Sequence, residues 1–246
     1  MYMKRGLKLL ILAGTAEARQ IAEAAQDAGA EVQAWVTEVP RGPNPMPVPT
    51  DLISIDSIDT EEDAAPFDAV IDASHAFDDG LTGLGLDLSR VKGLPVLSVR
   101  RPGWTPQESD RWHCAADVPA AMAMIAPGAR VFSATGFGSL PDYRDFPGAR
   151  LFLRQTTRHN RPVSFDFAEL VFGTPPFSLT DEVALFRALR IDTLICRNLG
   201  GRASRPKLDA ALALGLKVIL IEPPAIPEDI EVVADVASAL AWLETL

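Results

Sequence analysis

Two turns in this chain join a preceding apolar run to a following helical pattern through small residues, a combination suited to binding anions. The first is Leu9-Leu10-Ile11-Leu12-Ala13-Gly14-Thr15-Ala16-Glu17-Ala18-Arg19. The second is Thr193-Leu194-Ile195-Cys196-Arg197-Asn198-Leu199-Gly200-Gly201-Arg202, with Arg205 and Lys207 at a helix start. A short continuous apolar run reads as a buried parallel strand. A small-residue turn after it lets backbone N–H groups approach an anion, and the next helix adds its positive end. In the first turn, Gly14 and the Thr15 hydroxyl would meet a pyrophosphate. An ordinary strand-to-helix turn competes with that reading, because the turn carries one glycine and not a G-x-G-x-x-G pattern. In the second, paired glycines permit positive φ and an N–H nest. A plain turn is again the alternative.

Other residues fall where a parallel sheet binds ligands. Asp72-Ala73-Ser74-His75 closes a third apolar run, so His75 is a candidate proton donor or polar contact, against an equal case for a structural histidine. Arg41 lies just past the second run, where a dinucleotide fold can place a cation for a 2′-phosphate; a solvated loop arginine is the rival. Arg144, Arg150, Arg154, Arg158 and Arg161 crowd one stretch of a chain whose net charge is −10. They read either as a solvated face or as a site for a polycarboxylate, which guanidinium forks pair with bidentately. No serine has the G-x-S-x-G setting of a hydrolase nucleophile.

The elements that must position these residues alternate. Strands are expected at Leu9–Leu12, Val32–Val36, Asp68–Asp72 and Pro95–Val99, then at Arg130–Ser133, Arg150–Leu153, Thr193–Cys196 and Val218–Ile221. Helices are expected over Ala18–Ala25, over Glu182–Leu189 with Asp181 as N-cap, from Pro206 to Leu214 with Gly215 as stop, and from Val236 to Leu246. Pro40–Pro49 reads as a loop. The alternation argues for βαβ units and parallel sheets. The rhythm restarts after Ala126-Pro127-Gly128, which places the boundary between two domains, 1–127 and 128–246. The negative balance argues against nucleic acid or an anionic membrane as partner. Two lone cysteines suggest a reducing, cytoplasmic setting, and three scattered histidines give no metal spacing. No apolar run approaches the roughly 20 residues of a membrane span. Nothing in the pattern sets an oligomeric state.

Taken in order, the motifs resemble the precorrin-6A reductase family of cobalamin (corrin-ring) biosynthesis. Ile11 to Arg19 resembles its "LGGTxEGR" opening, Asp72 to Phe77 its "DATHPFA", and Arg101-Pro102-Gly103-Trp104 its "RPxW". Thr135-Gly136-Phe137-Gly138-Ser139-Leu140 is similar to "TGxxxL", Thr174 to Glu182 to "GPFSxxxE", and Arg197 to Leu208 to "KNSGGxxxxxKL". The resemblance implies two Rossmann-like α/β domains with mainly parallel sheets and an interdomain cleft. It implies an NADPH-dependent oxidoreductase acting on a CH–CH bond, reducing precorrin-6A to precorrin-6B, a dihydro product. Its cofactor contacts would be Gly14, Thr15, Ala16, Glu17, Arg19, Thr37, Arg41 and Ser74. Its substrate contacts would be Arg101, Thr135, Gly136, Asn198, Gly200, Gly201, Arg202 and Lys207, with His75 as catalytic candidate. Departures from the pattern are Ala76 for proline, Leu199 for serine, Arg197 for lysine, and a stretch between Phe77 and Arg101 expected to have lost part of a helix. They keep two rivals open: a reductase of another conjugated substrate on this fold, and a non-catalytic nucleotide-binding relative.

Overall fold

A computed structural model describes residues 6–39, 44–63, 65–106 and 111–246. Arg41 therefore lies outside the described residues. The described chain divides into two compact units, one running to Arg101 and resuming at Pro224–Leu246, the other Pro102–Pro223.

The first unit opens with β1 (Lys8–Ala13), whose Leu9 to Ala13 are all buried. Burial on both faces suits a central parallel strand, and β1 pairs in parallel with β2 (Glu31–Val36) and β4 (Ala69–Ala73). Between β1 and β2, helix α1 (Ala16–Asp27) is capped by Thr15, whose hydroxyl accepts from the Ala18 N–H. Side chains of β1 alternate between faces. Leu9, Ile11 and Ala13 pack with Ala18, Ile21 and Ala22 of α1 and with Leu243 of α6 (Val236–Leu243). Leu10 and Leu12 pack on the other side with Leu81, Leu84 and Leu88 of α2 (Asp79–Lys92). With β3 (Thr50–Leu52), β5 (Val96–Val99) and β12 (Glu231–Val233), the sheet order is β12-β5-β4-β1-β2-β3, all parallel. The chain runs outward from β1 through β2 to β3, then crosses back to β4, so the order reverses between β1 and β4.

The second unit repeats this plan with β7 (Arg130–Ala134) at its centre, in the order β6-β11-β10-β7-β8-β9. Here β6 is Trp112–Ala115, β8 Arg150–Gln155, β9 Ala168–Phe172, β10 Thr193–Arg197 and β11 Lys217–Ile221. Phe132, Phe152, Leu194, Cys196, Val218 and Leu220 bury one face with Phe186 of α4 (Leu179–Leu189) and Leu208 of α5 (Pro206–Ala213). Helix α3 (Val118–Met122) follows β6.

Several expectations change. The division at 127/128 is replaced, because β6 pairs with β11 in the second sheet and β12 pairs with β5 in the first. Ala126-Pro127-Gly128 is only the turn that leads into β7, with Gly128 at φ 78°. Sequence adjacency hid both edge pairings, since parallel partners lie far apart along the chain. The 77–100 stretch carries a helix that the strand pattern did not announce: α2 spans 14 residues, capped by Asp78 and stopped by Gly93 at φ 64°. Helix α4 starts a turn earlier than expected, with Ser178 as N-cap in place of Asp181. The last helix ends at Leu243.

Candidate functional site

At the carboxyl edge of the first sheet, the turns after β1 and β4 are locked together. A Cβ on Gly14 would lie 2.6 Å from the His75 backbone nitrogen and 3.2 Å from the Ser74 carbonyl carbon. The Thr15 hydroxyl donates to the Ala73 carbonyl at 2.8 Å. Gly14 is thus required first by the neighbouring strand's backbone. Gly14 and Ala16 remain exposed, and Glu17 and Arg19 are half-buried in the first turns of α1. This is the point where strand order reverses, the place open α/β sheets bind ligands. It offers exposed backbone at a helix N-terminus, which attracts anions. The opposing charge, Glu17, is offset by Arg101, 3.5 Å away. The structure therefore sets Arg101 beside the expected cofactor turn of its own unit.

Asp72 lies in a wholly apolar strand and is 1% exposed. Such a charge must be paired. Arg100 Nη2 donates to Asp72 Oδ2 at 2.6 Å, to the Thr82 hydroxyl at 2.8 Å and to Ser74 Oγ at 3.3 Å. Thr82 and Ser98 also donate to Asp72 Oδ2, and the Ser74 N–H donates to Asp72 Oδ1. Ser74 is 1% exposed, with its N–H, carbonyl and hydroxyl all engaged by Asp72 and Arg100, so it braces the turn from within. His75 Nδ1 accepts from the Phe77 N–H at 3.3 Å, which puts the proton of the neutral ring on Nε2. Thr37, half-buried at the end of β2, donates to Asp78 Oδ2, and Asp78 Oδ1 caps α2. Thr37 thus ties the β2 end to the β4 turn.

In the second unit, the Thr135 hydroxyl is buried in a chain with Ser133, Ser139 and Tyr143, at 2.8, 2.6 and 3.4 Å. It braces the Gly136 turn, where φ is 88°, and does not face outward. Asn198 is 4% exposed and fully engaged. Its Oδ1 accepts from the Trp104 N–H at 2.7 Å, and its Nδ2 donates to the Trp104 carbonyl and to Glu222. It is a clamp between two loops. Gly200 and Gly201 follow at φ 61° and 71°, and a Cβ on Gly200 would collide with the Pro102 carbonyl oxygen. Arg202 is exposed. Lys207 donates to the Ser204 carbonyl at 2.7 Å and lies 5.8 Å over the Trp104 ring. Burial pushes its pKa down from the ordinary 10.5.

The five arginines expected as one group are dispersed. Arg150 donates to the Asp166 carbonyl. Arg154 turns inward: Nη2 meets both Glu182 oxygens at 2.9 and 3.1 Å, with the Phe132 and Phe177 rings 4.9 and 4.2 Å from its guanidinium. Arg158 and Arg161 are exposed after β8. Sequence reasoning gave no role to Arg100 or Glu222, and Glu182 entered only as the last residue of the motif from Thr174 and the start of a helix. The available signals were single acidic residues in buried settings, Asp72 within an apolar strand and Glu182 in a helix face, each of which demands a cation. Among the described residues, no group of three histidine, cysteine, aspartate or glutamate side chains could hold a metal, and no helix is long and apolar enough to cross a membrane.

Fold and turns together define a doubly wound, Rossmann-like α/β protein, built twice over on the same strand order. Comparison with known proteins narrows this. Residues 8–244 match the family model described as Precorrin-6x reductase CbiJ/CobK. The chain is 35% identical over 245 residues to the precorrin-6A reductase of Rhodococcus erythropolis, covering 97% of this chain and 98% of that one. It is 31% identical over 241 residues to that of Rhodobacter capsulatus, covering 96% and 95%. The solved structure of CobK precorrin-6A reductase superposes with a TM-score of 0.83 at 30% identity, covering 96% of each chain. The chain belongs to the precorrin-6x reductase family, a family of oxidoreductases.

Proposed function

We propose that this chain reduces precorrin-6A to its dihydro product, precorrin-6B, with NADPH, as a step of cobalamin biosynthesis. The observation that carries the reading is the full-length match to reductases so named, together with an exposed helix N-terminus at the switch point of the first sheet. In this reading the cofactor, when bound, supplies a hydride to one carbon of a conjugated double bond. The backbone at Gly14, Thr15 and Ala16 holds the pyrophosphate, with the α1 N-terminus behind it. Arg101 tempers Glu17 there, so the acidic first turn does not repel the phosphates. Arg19 and Thr37 complete the cofactor side, with Ser74 bracing the turn behind them. The second hydrogen arrives as a proton, for which the donor is His75 in its charged imidazolium form, left as the neutral ring, or a water in its place. On the substrate side, the N–H groups of Gly200 and Gly201, with Gly136, Arg202 and Lys207, meet macrocycle carboxylates. Thr135 and Asn198 position that backbone.

The test is NADPH oxidation by the purified chain with precorrin-6A, run beside NADH. Consumption of NADPH with formation of the dihydro product, at a kcat/KM well above that with NADH, is the expected result. No oxidation above the substrate-free rate would overturn the substrate assignment, and equal use of NADH would overturn the cofactor preference.

A further inference from the structure

Beyond the second-unit turns lies a surface that the reading above leaves unused. It stands at the carboxyl ends of three neighbouring strands, β7, β8 and β9. Phe137 follows β7, Arg158, His159 and Arg161 follow β8, and Phe172 ends β9. The five side chains touch in a row. The Arg161 guanidinium lies 5.3 Å over the Phe137 ring, and the His159 ring meets Phe137 edge-on at 4.8 Å. His159 meets Phe172 edge-on at 5.6 Å, and the Arg158 guanidinium lies 5.6 Å over Phe172. The order is cation, ring, ring, ring, cation.

This set is held in place from behind. His159 Nδ1 accepts from the Arg161 N–H at 3.2 Å, which leaves the Nε2 proton to donate to Gln155 Oε1 at 3.3 Å. Gln155 is itself buried at the end of β8 and donates to the Arg154 carbonyl. The histidine ring is thereby fixed in orientation between the two phenylalanine rings. Both arginines are exposed, and among the described residues neither forms an ion pair. Two other arginines of this unit are paired, Arg154 with Glu182 and Arg205 with Asp209. Two uncompensated guanidinium groups on a protein of net charge −10 are a local reversal of sign.

Half-buried rings suit the apolar body of a conjugated macrocycle, and the exposed guanidinium forks above them favour carboxylates. The carboxyl edge of a parallel sheet is where such a ligand would lie. We propose that Arg158 and Arg161, on the Phe137–His159–Phe172 platform, form a subsite for the acid side chains of a planar tetrapyrrole. This rests on the proposed function and extends its substrate contacts to the β8 loop.

The experiment compares wild type with the full-length double variant Arg158→Ala/Arg161→Ala, and with Arg158→Lys/Arg161→Lys. Two readouts are taken: KM for precorrin-6A and for NADPH, and binding of uroporphyrin, a planar polycarboxylate, by its fluorescence. Both residues are exposed, so an unchanged melting temperature is expected. A charge-assisted contact is worth roughly tenfold. The alanine pair should raise the precorrin KM at least about tenfold, weaken uroporphyrin to match, and leave the NADPH KM within about twofold. The lysine pair should recover part of the loss, keeping charge without the fork. Unchanged precorrin KM and uroporphyrin affinity would overturn the subsite. So would a rise in the NADPH KM that matches or exceeds that for precorrin. If wild type fails to oxidise NADPH with precorrin-6A, yet binds uroporphyrin through these arginines, the subsite stands and the reaction assignment falls.

Discussion

Gly14→Ala puts one methyl group between two backbones. The new carbon would sit 2.6 Å from the His75 nitrogen and 3.3 Å from the Ser74 Cα, where ordinary contact begins at 3.4 Å. Nothing flexible lies in the way, so the β1 and β4 turns must part by roughly 0.8 Å. The Thr15–Ala73 hydrogen bond, 2.8 Å long, ties those same turns and would stretch beyond useful range. Overpacking costs about 1–3 kcal/mol and the lost bond about 1 more. At roughly 4 °C per kcal/mol the melting temperature should fall by about 8–16 °C. The same displacement spreads the proposed pyrophosphate cradle, so NADPH affinity should drop at least about tenfold. Thermal melts and NADPH titration of one preparation measure both. Gly83→Ala is the control: its added carbon meets nothing within 4 Å in α2, and alanine favours helix, so stability should hold or rise. A Gly14→Ala protein that melts with wild type would refute the close approach. One that melts early but binds NADPH normally would keep the packing argument and refute the placement of the phosphate.

Three further outcomes follow from the second unit. Glu182→Ala leaves Arg154 nine-tenths buried without its carboxylate and should cost about 3–5 kcal/mol in chemical denaturation, while Glu182→Leu/Arg154→Met should regain most of it; a single-variant loss below about 1 kcal/mol would contradict the pairing. Asn198→Ala strands the buried N–H and carbonyl of Trp104 and should cost about 1–3 kcal/mol with a shift in tryptophan emission, an effect absent if Asn198 served only a ligand. Lys207 has a folded-state pKa below its unfolded one, so the unfolded chain binds more protons and stability should rise with pH up to about the ordinary value of 10.5. Lys207→Met should flatten that rise and raise the neutral-pH melting temperature while weakening substrate; a steeper rise in the variant would reverse the assignment.

The central strands were legible because both faces of a parallel strand are buried, which leaves an unbroken apolar run such as Leu9–Leu12 or Leu194–Cys196. The edges were not. Thr50–Leu52 is exposed along its length, and Glu231–Val233 is too short and mixed to announce a pairing with Val96–Val99. Helix α2 hid behind Gly80, Gly83 and Gly85, which propensity counts against a helix; a Cβ on Gly85 would press on Leu12 at 2.9 Å, so packing chose the glycine. In the site, turns were readable and side-chain duty was not. Ser74, Thr135 and Asn198 have the residue types of ligand contacts, but buried neighbours claim their hydrogen bonds. Which partner claims a polar group depends on residues far along the chain, as Arg100 does for Ser74 and Trp104 for Asn198.

That distribution of partners separates the two sheets chemically, although their strand order is the same. At the edge of the first, Asp72 is met by Arg100 and Glu17 by Arg101, so side-chain charge is nearly cancelled and the backbone dipole of α1 is left to act on an anion. A dinucleotide's pyrophosphate needs little more, because N–H groups and a helix end supply donors at fixed positions. At the edge of the second, Glu182 is spent on Arg154, and Asn198 holds Glu222 behind it. The cations beyond, Arg158 and Arg161, carry no acidic neighbour in an ion pair among the described residues. A macrocycle with several flexible carboxylates suits that second arrangement, since guanidinium groups on exposed side chains can follow acids that a rigid nest cannot reach. Within the screening length of about 8 Å at physiological salt, the charges nearest the bound acids decide how such a ligand is held.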